Sequence, residues 1–292
     1  MKNWTELENS SFFDANARER ALGMVDKGTF TEFLNPLDRY CSPHLPVLGT
    51  AVEFDDGTVC GVGLLGKHPV FVVSMEGKFI GGAIGEVNGG KMVATIRLAL
   101  KAAADIKAKY PEEYTARRPL VAVSFETGGV RLQEANLGLA AIADIHAAIV
   151  DLRRYTPVVG IIAGTVGCFG GMSIAAALCS YLIVTREARL GLNGPQVIEQ
   201  EAGIEEYDSR NRPFIWSMTG GEIRAASGLV DALVNDGVNA VKTAMNEAIA
   251  KGVPVQHRSD NYDDYLRRLS QFDTRQQADT AQIKQLFARE DK

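Results

Sequence analysis

The chain has 292 residues, 46% hydrophobic and 23% charged, so it is long enough to bury a full core and too apolar for wholesale disorder. Its formal net charge of -5 leaves no basic footprint, which argues against nucleic acid as a partner. The opening MKNWTELENSSFF has no apolar targeting core, so the cytoplasm is the expected location.

Residues 14–34 carry helical spacing with a candidate cap at Asp14, and a loop punctuated by Pro36, Pro43 and Pro46 follows. LGTAVEF (48–54), TVCGVGLL (58–65) and PVFVVSM (69–75) read as strands separated by the turn-like DDG and GKHP. Within them Gly61, Gly63 and Gly66 spell a formal dinucleotide-fold match, GVGLLG, but Lys67-His68-Pro69 and another strand stand where a helix would have to begin. From Phe79 one rhythm repeats. FIGGAIGEVNGG leads into a helix to about Tyr110, the polar YPEEYTARR leads into strand PLVAVSF, and TGG leads into a helix from about Val130 to Arg154. PVVGIIAG, the turn TVGCFGG, the helix MSIAAAL and the strands CSYLIVT and ARLGLN complete it. The expected fold class is α/β, built of stacked ββα units whose parallel strands are buried on both faces.

Tyr155 to Thr185 holds no charged residue, but Pro157 and the glycines at 160, 164, 167, 170 and 171 divide it into strand, turn and helix, so no membrane span is expected. Near the C-terminus Tyr262, Tyr265, Leu266 and Leu269 recur at helical spacing, as in amphipathic helices lying against this domain or a partner. The organisation expected is a helical segment over 1–46, a central domain over 47–255 and a helical tail over 256–292, within one structural unit.

Cys41, Cys60, Cys168 and Cys179 lack the spacing of a zinc site or a redox dithiol and read as free thiols. His44, His68, His146 and His257 are scattered, and His146 reads as a packed residue of a helix. There is no GxxxxGK[ST] and no GxSxG, and no metal is expected.

The strongest local signal is a pair of glycines at two strand-to-helix turns: Gly128-Gly129 before a helix beginning near Val130, and Gly170-Gly171 before one beginning near Met172. A helix start presents unpaired N–H groups with partial positive charge, and glycine lets a substrate oxygen approach them. Two such receptors facing one pocket suit enolate chemistry on a thioester. The same glycines would equally permit close packing of helix on strand, and spacing alone does not separate the two.

FIGGAIGEVNGGKMV, FETGGVRLQEA, GCFGGMSIAAAL and LGLNGPQVIEQ, with the upstream NARERALGMVDKGTFTE, resemble in order and spacing the carboxyltransferase branch of the crotonase superfamily over residues 16 to 240. Large acyl-CoA carboxylase subunits of that branch fuse two such halves, and the bacterial acetyl-CoA carboxylase beta subunit opens with a four-cysteine zinc ribbon missing here. In length and motif wording the chain is similar to the beta subunit of biotin-independent malonate decarboxylases.

That resemblance implies a crotonase-like fold and decarboxylation of a malonyl thioester to the acetyl thioester. Gly128, Gly129 and Val130 would donate backbone hydrogen bonds at one oxyanion site, and Gly170, Gly171 and Met172 at the helix start completing the pocket. Gly81 and Gly82 would shape its upstream wall, Gly167 and Phe169 would meet the substrate from the second loop, and Gly194, Pro195 and Gln196 would border the mouth. Arg131, Gln133 and Glu134 would hold the first loop, in which Thr127 replaces the family's serine. No cofactor bound by this chain is implied; the acyl group would arrive on the coenzyme A-derived phosphopantetheine arm of an acyl carrier protein. A gamma subunit would supply the other half of the site. The alternatives are a carboxyltransferase half that passes CO2 to or from biotin, and a silent scaffold.

Overall fold

The computed structural model describes residues 3–49, 52–273, 275 and 279–288. In chain order the elements are α1 (Trp4–Glu8), α2 (Ala17–Gly23), β1 (Thr31–Phe33), β2 (Thr58–Leu65), β3 (His68–Met75), α3 (Glu86–Lys109), α4 (Tyr114–Arg117), β4 (Leu120–Phe125), α5 (Asn136–Leu152) and β5 (Val158–Ile162). There follow α6 (Gly171–Leu178), β6 (Tyr181–Thr185), α7 (Pro195–Ala202), α8 (Arg212–Thr219), α9 (Gly221–Ala226), β7 (Ala232–Val234), α10 (Val238–Lys251), α11 (Tyr262–Leu269) and α12 (Thr280–Leu286). The strands form one sheet ordered β1 to β7. β1, β2 and β3 pair antiparallel, and β3 to β7 run parallel.

β4, β5 and β6 are buried at every position, as strands covered on both faces must be. The period-2 alternation of strand side chains sorts neighbours into two cores. Val73, Val123, Ile162 and Leu182 meet α3, α5 and α6 through Met92, Ile145 and Met172 on one face. Val72, Ala122, Ile161 and Ile183 meet α2 and α10 through Ala21 and Met245 on the other.

The structure corrects several boundaries. The helix expected over 14–34 starts from an Asn16 cap, reciprocated by Glu19, and ends at Gly23. Residues 31–33 join the sheet instead, because Gly61 of β2 has no side chain to keep Thr31 away: a Cβ there would lie 2.4 Å from the Thr31 carbonyl oxygen. Of LGTAVEF, residues 50 and 51 lie outside the described residues, Leu48 ends a 3-10 turn, and 52–57 form no strand. Asp56 there has a φ of 56° and Asp55 caps the Gly57 N–H, a turn that interrupts any ladder. ARLGLN forms isolated bridges, Cys168 to Leu190 and Arg189 to Gly220. Downstream, the Tyr265 hydroxyl donates to the Gly228 carbonyl at 2.8 Å and Arg258 pairs with Asp231, which sets the tail against this domain. Among the described residues no helix is long and apolar enough to cross a membrane.

The largest correction concerns α5. A helix was expected from Val130; a 3-10 turn occupies Leu132–Glu134, and Ala135 at φ 50°, ψ -128° separates it from an α-helix that begins at Asn136.

Candidate active site

The loops leaving β4 and β5 touch. Thr127 bridges Cys168: the Thr127 N–H donates to the Gly167 carbonyl at 2.7 Å and the Phe169 N–H to the Thr127 carbonyl at 3.0 Å. Just beyond, Gly129 and Gly170 meet backbone to backbone, and a Cβ on Gly170 would lie 3.0 Å from Gly129 Cα. Their φ values of 115° and 62° also favour glycine. The two turns therefore converge.

Which amides are free follows from a count of partners. Gly128 N–H donates to the Gly81 carbonyl at 2.8 Å, Gly129 N–H to Thr127 Oγ1 at 3.0 Å and Gly170 N–H to the Leu192 carbonyl at 2.7 Å. This corrects the expectation that all three would face a substrate. Because α5 starts only at Asn136, the Gly128-Gly129 turn is an ordinary loop that satisfies its own amides. The N–H groups of Val130, Gly171 and Met172 have no acceptor within the described chain. Gly171 and Met172 open α6, where no intrahelical acceptor exists and the helix dipole adds positive charge, while the next amide, of Ser173, takes the Gly170 carbonyl at 3.0 Å.

The choice left open between receptor and packing divides by residue. A Cβ on Gly171 would come within 2.8 Å of Ile142 Cγ2, and one on Gly82 within 1.8 Å of the Glu126 carbonyl oxygen, so these glycines serve packing. Gly81 has a φ of 61° and open space at its Cβ position, and Gly128 has nothing nearer than 3.6 Å. Both are exposed, and Gly128 stands two residues before Val130.

Two buried ionic groups fix the first loop. Arg131 Nη1 donates to Asp56 Oδ1 and to Glu134 Oε1, each at 2.8 Å, and all three side chains are 0% exposed. Its Nη2 donates to the Ala83 carbonyl at 3.2 Å, while Glu134 Oε2 accepts from the Glu86 N–H at 2.7 Å, tying the loop to the start of α3. Burial would raise the Glu134 carboxyl, but the Glu86 N–H, the Ser42 hydroxyl and Arg131 outweigh it and hold it below the usual range. Asp56 shares the same guanidinium yet shifts upward, because burial outweighs Arg131 and the one Asn88 N–H. Gln133 is exposed and outside this group. In the second group Arg20 Nη1 meets Glu126 Oε2 at 2.6 Å, and Glu126 Oε1 accepts from the Val166 N–H at 3.3 Å, clipping the β4 exit to the β5 exit. Sequence reading missed both Asp56, hidden in a turn signal, and Arg20–Glu126, whose members stand 106 positions apart.

Two predicted substrate contacts turn inward. A Cβ on Gly167 would lie 2.6 Å from the Arg189 carbonyl oxygen, and Phe169 is buried beneath Arg189 and beside Gly191; both are packing residues of the loop. Gly194 caps α7, with Pro195 and Gln196 in its first turn, two residues past the Leu192 carbonyl that holds Gly170. His146 is packed as expected, its Nε2 2.7 Å from the Gly171 carbonyl oxygen. A cavity of about 710 Å³ lined by Asn16, Arg18, Glu53 and Glu76 touches neither glycine loop.

The family model for the carboxyl transferase domain matches residues 14–279. A chain of a Pseudomonas malonate decarboxylase hetero-tetramer, solved with malonate, is 53% identical, with a TM-score of 0.87 over 97% of this chain and 99% of that one. A malonyl-S-ACP:biotin-protein carboxyltransferase of Malonomonas rubra is 47% identical over 86% of this chain and 79% of its own length. The methylmalonyl-CoA carboxyltransferase 12S subunit of Propionibacterium freudenreichii subsp. shermanii is 30% identical over 64% of this chain, which spans 32% of that subunit.

Proposed function

The chain belongs to the carboxyl transferase domain family, and from that premise we propose that it is the beta half of a malonate decarboxylase acting on a malonyl thioester carried by an acyl carrier protein. The C–C bond to the free carboxylate breaks, CO2 leaves with the carboxylate oxygens, and the electron pair moves into the thioester as an enolate. The enolate carbon then takes a proton, giving the acetyl thioester. Charge develops on the thioester oxygen, and fixed amides that need no reorganisation stabilise it at that moment. Departure of CO2 requires no base to remove a carbon-bound proton, which agrees with a site whose nearest histidine, His146, is hydrogen-bonded to backbone.

The observation that carries this reading is that the unspent N–H of Val130 and those of Gly171 and Met172 stand on two loops in contact at Gly129 and Gly170. Val130→Pro deletes one N–H that no internal acceptor uses, whereas Val130→Ala trims the side chain and keeps it. CO2 release from malonyl thioesters by the assembled complex should fall about 100-fold or more in the proline variant and stay within a few-fold in the alanine variant. Equal activities at equal unfolding midpoints would remove Val130 from the site.

A second reading, transfer of CO2 to biotin, is favoured by the name of the Malonomonas relative. Avidin added to the complex separates the two, since only the transferase would stop. A gamma subunit completing the site is supported by the hetero-tetrameric and hetero-dimeric forms of the Pseudomonas enzyme.

A further inference from the structure

The segment backing the second glycine loop carries cations without counter-ions. Arg189 stacks on Phe169 at 5.7 Å and on Trp216 at 4.7 Å, and its Nη2 donates to the Thr165 and Val166 carbonyls at 2.6 and 3.1 Å. Arg212 lies over the Trp216 ring at 5.2 Å, and Arg224 Nε donates to the Leu190 carbonyl at 2.7 Å. Among the described residues no carboxylate forms an ion pair with Arg189, Arg212 or Arg224. Three acidic groups of this region have other partners: Asp208 pairs with Arg210, Glu222 with Arg186, and Glu199 accepts from the Ser209 N–H.

Two polar atoms in this region are buried without a partner, Arg189 Nε and the hydroxyl of Tyr207, a residue only 7% exposed. The Tyr207 ring stands edge-on to Phe214 of α8 at 5.1 Å, within electrostatic reach of both Arg189 and Arg224. Burial pulls both guanidiniums below their ordinary range, aided at Arg189 by Arg212, as befits cations taken out of water without a carboxylate.

We propose that Arg189, Arg224 and Tyr207 form a binding site for a small oxyanion, a carboxylate or a phosphate, distinct from the amides of the glycine loops. A water could accept from the Tyr207 hydroxyl, but it would leave the guanidiniums unneutralised. An anion accepting from the hydroxyl, from Arg189 Nε and from the unspent N–H groups of Arg224 offsets both the orphaned donors and the crowded charge. The site is coupled to the loop through backbone. Arg224 holds the carbonyl of Leu190, and two residues on the carbonyl of Leu192 takes the Gly170 N–H. An occupied site therefore braces the turn that sets α6.

The test is equilibrium dialysis of the full chain, in its purified assembly, against labelled phosphate and separately against labelled malonate at low chloride. Arg224→Gln and Tyr207→Phe are run beside the parent, with unfolding midpoints to confirm the fold. Expected is saturable binding of at least one anion, weakened about tenfold or more by Arg224→Gln and several-fold by Tyr207→Phe. A preference for phosphate would assign the site to the carrier arm, and a preference for malonate to the acyl carboxylate. Binding equal in all three proteins, or no saturable binding of either anion, would overturn the proposal. Should Arg224→Gln fail to fold, Tyr207→Phe decides alone, since it removes an oxygen that bonds to nothing among the described residues.

Discussion

At the scale of single residues, the site depends on which amides are already spent. Thr127 shows how a side chain can decide that. Its Oγ1 accepts the Gly129 N–H at 3.0 Å in a fully buried position, so the loop keeps its shape without a substrate. Thr127→Val keeps the volume and removes the acceptor, leaving a buried donor unpaired at a cost of about 1–3 kcal/mol, while Thr127→Ser restores the oxygen. Denaturant unfolding should show the valine variant destabilised by that amount and the serine variant close to the parent. The sequence made Thr127 visible as a departure from the family's serine; that its hydroxyl would occupy one of the predicted donors depends on a rotamer the sequence does not state.

At the scale of elements, the long helices and the buried strands were legible because their signals are periodic and redundant. The strand over 58–65 and the helix that runs to Lys109 emerged close to their expected limits. Segments whose form is set by a distant partner were illegible: 31–33 became a strand only because Gly61 admits them, and ARLGLN has strand-like residues but meets only single bridges. The start of α5 was misplaced for a local reason, since Ala135 holds a backbone conformation with φ 50° that alanine rarely adopts. Ala135→Gly should relieve that strain and raise stability by about 1 kcal/mol, measured by the denaturant midpoint. The ionic group before it gives a signed pH dependence. Glu134 has a lowered carboxyl, so its contribution is present above the ordinary carboxylate range and is lost as pH falls through the lowered value. Asp56, raised by burial, acts in the opposite sense, its contribution declining as pH rises through the raised value. Glu134→Gln should thus flatten the fall of the melting temperature on acidification. Arg131→Met, which strands two buried carboxylates, should cost about 3–5 kcal/mol at neutral pH.

At the scale of the whole molecule, large apolar side chains stand uncovered close in the chain to the glycine loops. Leu132 is 79% exposed and Leu192 60%, with Ile174 and Val197 also uncovered nearby in the chain. Such side chains suit a partner subunit that closes the pocket, as the proposed function requires. Leu132→Glu with Leu192→Glu should abolish co-purification of the partner and leave the melting temperature of this chain within a degree or two, because neither side chain contributes to the core. Retained assembly would place the partner on another face.

The strands lie side by side in the order of synthesis, and from β3 onward each parallel neighbour is joined to the last by a crossover. A ribosome releasing the chain at about 5–20 residues per second thus offers every new strand an edge that already exists. Maturation of the second glycine loop lags behind. The Gly170 amide waits for the Leu192 carbonyl, which emerges after β6, so the nascent sheet is largely assembled before its second loop can lock. A truncated translation product ending just before Leu192 would carry six correctly aligned strands and an unlatched second loop, harmless as a catalyst and conspicuous to a protease.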